Sequence, residues 1–463
     1  MPPPPSINVI EEARVAVPAT AALPSEPLRL SALDAQWLTL PLIQSLLIFV
    51  DGAGAETIPP FESAVAALRA SLLENLARFP PLAGRIVHQP ATGDAAIDCT
   101  AIGVAAAGGV RFLVAEMDAD AVHLAGDEEH DVEAFVRLVP ALDAGRLPAE
   151  TMAAQVTRLR GGMALGVAVH HAVADGQSAS MFLAAWAAAC RGVGGVAVAA
   201  AAAPTFDRAA VKIPGGEELA RAVLRKHAPD LPMAAVAGHL IRPNLSRWTF
   251  TITAQDMRRL KRRITELSPA AQSSAAAAPP SSFVAVAALA WVSFVHAKHP
   301  AGIVSAADEV YLFFFADCRA RLDPPPGDRY FGTCISGCLA RAAARDLLAE
   351  NGVGVAAAAV AAEVRRAAKD PLAGWDWMST VEGVNKDRMV NLAGSTRYPA
   401  YEAADFGWGS PGRTELVSMN QDGQVMLVAG KKGGGGSGGV QASVSLHPAH
   451  MDAYKSHFLS YFG

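Results

Sequence analysis

Apolar side chains recur at helical spacing over residues 61–79, through Val65, Leu68, Leu72, Leu73 and Leu76, until Pro80 and Pro81 end the run. This predicts an amphipathic helix followed by a turn. Residues 163–169, Met-Ala-Leu-Gly-Val-Ala-Val, are small and uniformly apolar, which predicts a strand buried on both faces; helical spacing resumes over 178–189. The segment between them is therefore a junction from strand to helix. Downstream, the pattern predicts a strand at 248–253, a basic helix at 255–264, an apolar helix at 283–297 and a strand at 310–315. Residues 425–429 and 440–446 read as strands, and the Gly-rich stretch from Lys431 to Gly439 reads as a flexible hairpin loop between them. It makes a poor phosphate loop, because its lysines precede the glycines and no G-K-[ST] ends it. Over 192–216 the chain becomes Ala/Gly/Pro-rich and loses periodicity, which marks a connection between two halves. The expected fold class is α/β (mixed α+β), in two domains spanning 1–205 and 206–463.

A length of 463 residues and 51% hydrophobic content are enough for two sizeable cores. A net charge of -5 leaves no general footprint for nucleic acid or an anionic membrane, so any anionic ligand needs a local basic patch. The Ala-rich run 181–190 is stopped by Arg191, and 193–203 is short and interrupted by glycine, so neither reads as a membrane span. The opening Met-Pro-Pro-Pro-Pro-Ser has the features of neither a secretory signal nor an Arg-rich transit segment, and a cytoplasmic location is expected. Five cysteines, Cys99, Cys190, Cys318, Cys334 and Cys338, show no C-x-x-C pairing, so reduced thiols and no metal site are expected. Cys334 and Cys338 have the spacing of one helical face, where packing is the plainer reading.

Candidate chemistry centres on His170-His171-Ala172-Val173-Ala174-Asp175-Gly176. H-x-x-x-D alone is a weak pattern, and a second copy runs from His123 to Asp127 in what reads as a polar loop. His171 differs by leaving the end of a buried strand, where a side chain can project into a cleft from a rigid element. A neutral imidazole suits proton removal from an alcohol attacking a thioester. Asp175 either orients His171 or braces the turn through an arginine; His170 reads as a satisfied core residue. The second motif is Asp405-Phe406-Gly407-Trp408-Gly409, whose first three letters also open a kinase metal motif. No H-R-D loop or V-A-I-K strand accompanies it, which excludes a kinase. Gly407 and Gly409 suggest tight backbone packing around Trp408, with Asp405 as a turn or salt-bridge residue.

H-x-x-x-D followed far downstream by D-F-G-W-G is the signature pair of the BAHD acyltransferases, and this chain resembles them over most of its length. Further matching segments are Leu30-Ser31-Ala32-Leu33-Asp34, Phe79-Pro80-Pro81-Leu82-Ala83-Gly84-Arg85 and Asp317-Cys318-Arg319-Ala320-Arg321-Leu322. The resemblance implies two chloramphenicol-acetyltransferase-like domains with a solvent channel between them. The first carries the H-x-x-x-D motif and the second D-F-G-W-G. It also implies His171 as general base and Asp175 turned away to pair with Arg319 or Arg321. The D-F-G-W-G loop would support the channel and the coenzyme site, although its aspartate, here Asp405, is sometimes treated as catalytic. Tyr330-Phe331-Gly332-Thr333-Cys334 looks like the Y-F-G-N-C motif of the flavonoid and anthocyanin branch, with Thr333 where asparagine is usual. Ala393-Gly394-Ser395 supports that branch, whose acceptors are typically sugar hydroxyls of phenolic glycosides.

The expected reaction is direct transfer of a malonyl or hydroxycinnamoyl group from acyl-CoA, a co-substrate and not a bound cofactor, by a monomer that needs no metal, no nucleic acid and no membrane. Trp408 or Ser395 would stabilise the oxyanion. Arg258, Arg259, Lys261, Arg262 and Arg263 form a dense basic helix, read as a solvated face. Ser281 and Ser282, at the start of the apolar helix, are better placed to receive a phosphate of coenzyme A, and Trp408 would also lie at that site. In the same branch malonyl users often carry a basic residue two or four positions after the motif aspartate, where this chain has Gln177 and Ala179. Two other readings are an N-acyltransferase acting on an amine and a non-catalytic acyl-CoA-binding protein of the same fold.

Overall fold

Residues 162–169 form the strand Gly162–Val169, buried at every position after Gly162 because strands flank both its edges. Gly166 has a specific reason to lack a side chain: a Cβ there would lie 2.1 Å from the Leu138 carbonyl oxygen. The computed structural model describes residues 6–19, 21–52, 57–100, 108–127, 129–192, 203–234, 244–268, 278–418, 420–431 and 439–462. Most of the Gly-rich loop, 432–438, and the stretch 193–202 of the expected connection lie outside the described residues.

The first six-stranded sheet runs in the order Ile7–Val15, Val110–Asp120, Met152–Arg160, Gly162–Val169, Ile43–Val50, Arg413–Leu416. Its last strand comes from the C-terminal half and pairs antiparallel with Ile43–Val50, from Arg413 opposite Ile48 to Leu416 opposite Ser45. Two helices, Phe61–Leu76 and Gly176–Cys190, pack against each other in the first core. The Trp186 indole N–H bridges them, donating to the Leu68 carbonyl and the Ser71 hydroxyl, each at 3.1 Å. As the proline pair predicts, the first helix ends at Leu76 and a 3-10 turn follows at Pro80–Leu82. A small sheet, Leu28–Arg29, Asp94–Asp98, Arg85–Gln89 and Ala149–Glu150, lies alongside.

The second six-stranded sheet runs Ser246–Ile252, Val440–Leu446, Gln424–Ala429, Met389–Gly394, Glu309–Asp317, Ile335–Ala343. Its three inner strands from Gln424–Ala429 to Glu309–Asp317 are parallel, and the flanking pairs are antiparallel. Helix Ser282–Lys298 is buried almost all round because it packs among helices Ala254–Glu266, Gly352–Lys369 and Pro448–Leu459. The basic helix buries Met257, Leu260 and Ile264 and leaves Arg258, Arg259, Arg262 and Arg263 exposed. Among the described residues no helix is long and apolar enough to cross a membrane.

Cys334 and Cys338 do not share a helical face. Cys338 lies in the strand Ile335–Ala343 and Cys334 just before it, both buried with free thiols. Helix Gly216–His227 packs against Ala32–Ala35 and supplies Val223 and Leu224 to the first core.

Candidate active site

The buried strand ends at Val169, and the chain turns tightly through 170–175 before helix Gly176–Cys190 begins. His170 anchors the turn: its N–H donates to the Thr151 carbonyl (2.9 Å), and its Nδ1 accepts the Ala172 N–H (3.2 Å). That acceptor role requires a neutral ring, and burial pushes the His170 imidazole down to about 3. Asp175 caps the helix by accepting the Ser178 N–H at 3.0 Å. The remaining capacity of this buried carboxylate goes to the Arg319 guanidinium (2.9 Å) and the Cys334 N–H (3.0 Å). Of the two candidate arginines, only Arg319 is the partner: Arg321 is exposed and donates to the Asp317 carbonyl. Among the described residues no hydrogen bond or ion pair joins Asp175 to the His171 ring.

Arg319 also ties this turn to residues 330–334. It donates to the carbonyls of Tyr330 (3.2 Å) and Gly332 (2.9 Å) and to the Ser178 hydroxyl (3.0 Å). A second buried pair, Arg208 with Asp34 at 3.1 Å, grips the same segment, since Asp34 accepts the Thr333 N–H at 2.9 Å. Gly332 leaves room for this grip: a Cβ would meet Arg208 Nη1 at 2.5 Å and the Tyr330 hydroxyl at 2.9 Å, so any side chain there would displace those buried groups. Thr333 fills the departure from the usual asparagine by donating its hydroxyl to the His171 carbonyl at 3.3 Å.

His171 lines a cavity of about 1480 Å³ whose wall draws on both large sheets, with Ile43 and Val169 from the first and Phe313, Leu392 and Met426 from the second. Its ring stacks on Trp37, centroids 3.6 Å apart and planes 8° apart. Burial pushes the imidazole down to about 4, against the opposing pull of its own backbone carbonyl and of Asp175. It is therefore neutral near pH 7. Among the described residues the buried Nδ1 has no acceptor beyond its own backbone carbonyl, which leaves proton transfer to Nε2. Trp37 is the site residue that the sequence reading missed. The S-x-x-D of Ser31–Asp34, which forms a capping box three residues before it, marks the short helix but carries no sign that the indole will meet the histidine.

Ser281, Ser282 and Ser395 also line the cavity. The Ser281 hydroxyl caps the helix by accepting the Val284 N–H (3.2 Å); Ser395 Oγ accepts the Arg397 N–H (3.2 Å). Lys261 reaches the wall too, unlike its exposed neighbours on the basic helix. The D-F-G-W-G loop is not brought to the wall. Asp405 accepts the N–H groups of Gly407 (2.9 Å) and Gly409 (3.1 Å), and both glycines have positive φ, +106° and +86°. Trp408 packs on Phe406 and edge-on to Phe49 inside the first core, away from any oxyanion or coenzyme contact among the cavity-lining residues. The second H-x-x-x-D is no site: His123 is exposed on the short helix Ala121–Ala125, and Asp127 pairs with Arg413.

The chain is 30% identical to the malonyl-CoA:anthocyanidin 5-O-glucoside-6''-O-malonyltransferase of Arabidopsis thaliana, over 98% of each chain. It is 29% identical to a coumaroyl-CoA:anthocyanidin 3-O-glucoside-6''-O-coumaroyltransferase of the same plant, over 97% of this chain and 96% of that one. Vinorine synthase has the same fold, with a TM-score of 0.71 at 20% identity, covering 99% of this chain and 98% of that one. The profile of the Transferase family matches residues 6–460. The chain belongs to the Transferase family and is an acyltransferase of the BAHD type that its two motifs resemble.

Proposed function

We propose that this enzyme transfers a malonyl or hydroxycinnamoyl group from acyl-CoA to a hydroxyl of a flavonoid, anthocyanin or other phenolic glucoside, with His171 as the general base. The observation that carries this reading is a neutral imidazole on the wall of a cavity large enough for two substrates, with its motif aspartate turned away to Arg319. The activities for which the two Arabidopsis relatives are named support the donor and acceptor classes.

In the proposed step Nε2 of His171 takes the acceptor O–H proton while the oxygen electron pair attacks the thioester carbonyl carbon. The C–S bond then breaks, and the proton passes from Nε2 to the departing thiolate of coenzyme A. Ser395 is the better oxyanion donor, since its hydroxyl lines the cavity and Trp408 does not. Ser281 and Ser282 would take a coenzyme phosphate at the exposed start of their helix. Asp175, Asp405, Gly407, Gly409 and Trp408 act through the shape of the two loops. We further propose a cytoplasmic monomer, with one domain over 1–205 and the other over 206–463, the second lending helix Gly216–His227, the D-F-G-W-G loop and strand Arg413–Leu416 to the core and sheet of the first.

The test is a matrix of acyl-CoA donors against phenolic glucosides, read by mass spectrometry, for the wild type, His171→Ala and His123→Ala. His171→Ala should lower turnover by about 100-fold to 10,000-fold. His123→Ala should be close to neutral. Near-normal turnover by His171→Ala would remove the proposed mechanism.

A further inference from the structure

Where a histidine acts as general base, a carboxylate on its far nitrogen commonly fixes the ring plane and stabilises the imidazolium that forms. Asp175, whose charge is felt at the ring, and Asp317, in the same cavity wall, are committed elsewhere: both pair with Arg319, at 2.9 and 3.1 Å. Among the described residues no carboxylate meets the buried Nδ1 of His171, whose one acceptor at hand is its own backbone carbonyl. What meets the ring is the face of Trp37, parallel to within 8°.

That indole is itself only 8% exposed. Trp377 lies at 4.9 Å and Phe315 at 5.3 Å from it, both tilted, so little of its surface is left for a substrate to stack on. The backbone beneath it is fixed. The Trp37 N–H donates to the Asp34 carbonyl (3.0 Å), and Gln36 Nε2 donates to the Trp375 carbonyl (2.6 Å). Asp34 holds the Thr333 N–H, and Thr333 donates to the His171 carbonyl, so indole and imidazole are carried on one hydrogen-bonded frame.

We infer that Trp37 is the positioning residue for the base: its π face holds the plane of the His171 ring and stabilises the imidazolium formed when the acceptor proton reaches Nε2. This rests on His171 being the base. An aromatic face stabilises a cation through its quadrupole, an effect that shape alone does not supply.

The test uses the full-length enzyme with saturating acyl-CoA and acceptor, following release of the coenzyme thiol. Trp37→Leu should lower kcat by about 30-fold, in line with a desolvated cation–π contact, while acyl-CoA affinity stays near the wild type. Trp37→Phe, which keeps an aromatic face, should recover most of that loss. Should the leucine variant fail to fold, polyfluorinated tryptophans placed at position 37 by nonsense suppression keep the indole shape and drain its face of electron density. There kcat should fall stepwise with each added fluorine at unchanged KM. A kcat indifferent to fluorination, or a Trp37→Leu effect confined to KM, overturns the inference. His171→Ala run alongside separates the two failures. If it is inactive, only the role of Trp37 is lost; if it retains turnover, the base and the inference fall together.

Discussion

Ala179 and Gln177 lie in the cavity wall at the start of the helix that Asp175 caps, and neither carries a charge. A malonyl carboxylate buried there would lack the cation or the several hydrogen bonds that make such burial tolerable. Among the other cations of the wall, Arg321, Lys386 and Arg397 are exposed, Lys261 lies on the solvated basic helix, and the buried Arg319 and Arg413 are already paired with carboxylates. A coumaroyl ring has no such requirement, and Phe313, Phe315 and Trp377 offer it apolar and aromatic surface in the same cavity. Hydroxycinnamoyl-CoA should therefore compete at least equally with malonyl-CoA, and Ala179→Arg should shift preference towards malonyl. Competition assays with both donors decide this, and a strong native malonyl preference untouched by Ala179→Arg contradicts it. At this scale His171 was legible in advance because its chemistry and its place at the end of an apolar run coincide. Trp37 was not, since an indole near a capping box is an ordinary core residue until a fold brings a histidine against it.

The turn 170–175, the segment 330–334 and the short helix Ala32–Ala35 work as one unit, locked by the pairs Asp175–Arg319 and Asp34–Arg208. Asp175→Asn keeps an oxygen for the Ser178 N–H but leaves the Arg319 guanidinium, 2% exposed, without its buried partner. Breaking such a pair typically costs about 3–5 kcal/mol. The variant should melt well below the wild type, while the kcat of its folded fraction falls far less than that of His171→Ala. A normal melting temperature with a lost chemical step would contradict the bracing role. The structure decides between the two arginines that the sequence left open because, of the two ends of the 3-10 turn Arg319–Arg321, Arg319 is buried under the helix cap while Arg321 is exposed.

Across the whole molecule, the strand Arg413–Leu416 joins the first sheet to the edge of the second through buried charges. Glu415 meets Arg413 at 2.9 Å and Arg247 at 3.4 Å, and His130 donates or accepts at Thr249 Oγ1 (2.8 Å) beside them. Burial pushes His130 down to about 4, as it does His171, and His170 to about 3. All three stay neutral in the folded chain between their lowered values and 6.5, where the unfolded chain binds protons. Their contribution to stability is thus full above about pH 6.5 and is lost as pH falls towards 4, by up to about 1.4 kcal/mol per pH unit for each ring. The melting temperature should accordingly hold level above pH 7 and decline steadily from pH 6.5 to 5; a flat profile across that window would show that these rings are not held neutral by the fold.

Local patterns in the chain determined most of the helices and strands, because apolar spacing reports which face of an element will be buried wherever the burial is extensive. The strand Gly162–Val169, the helix Ser282–Lys298 and the hairpin Gln424–Ala429 with Val440–Leu446 were all legible for that reason. The paired motifs likewise determined the family and the histidine to test. Tertiary structure alone decided what four residues, Arg413–Leu416, would do, since Arg-Thr-Glu-Leu carries no apolar run that marks a buried strand, and Asp127, Arg247 and the edge of Ile43–Val50 close around it only in the fold. It also withdrew Trp408 from the cavity and put Trp37 against His171. These outcomes depend on contacts between residues far apart in the chain, and periodicity carries no information about which distant surface a side chain will meet.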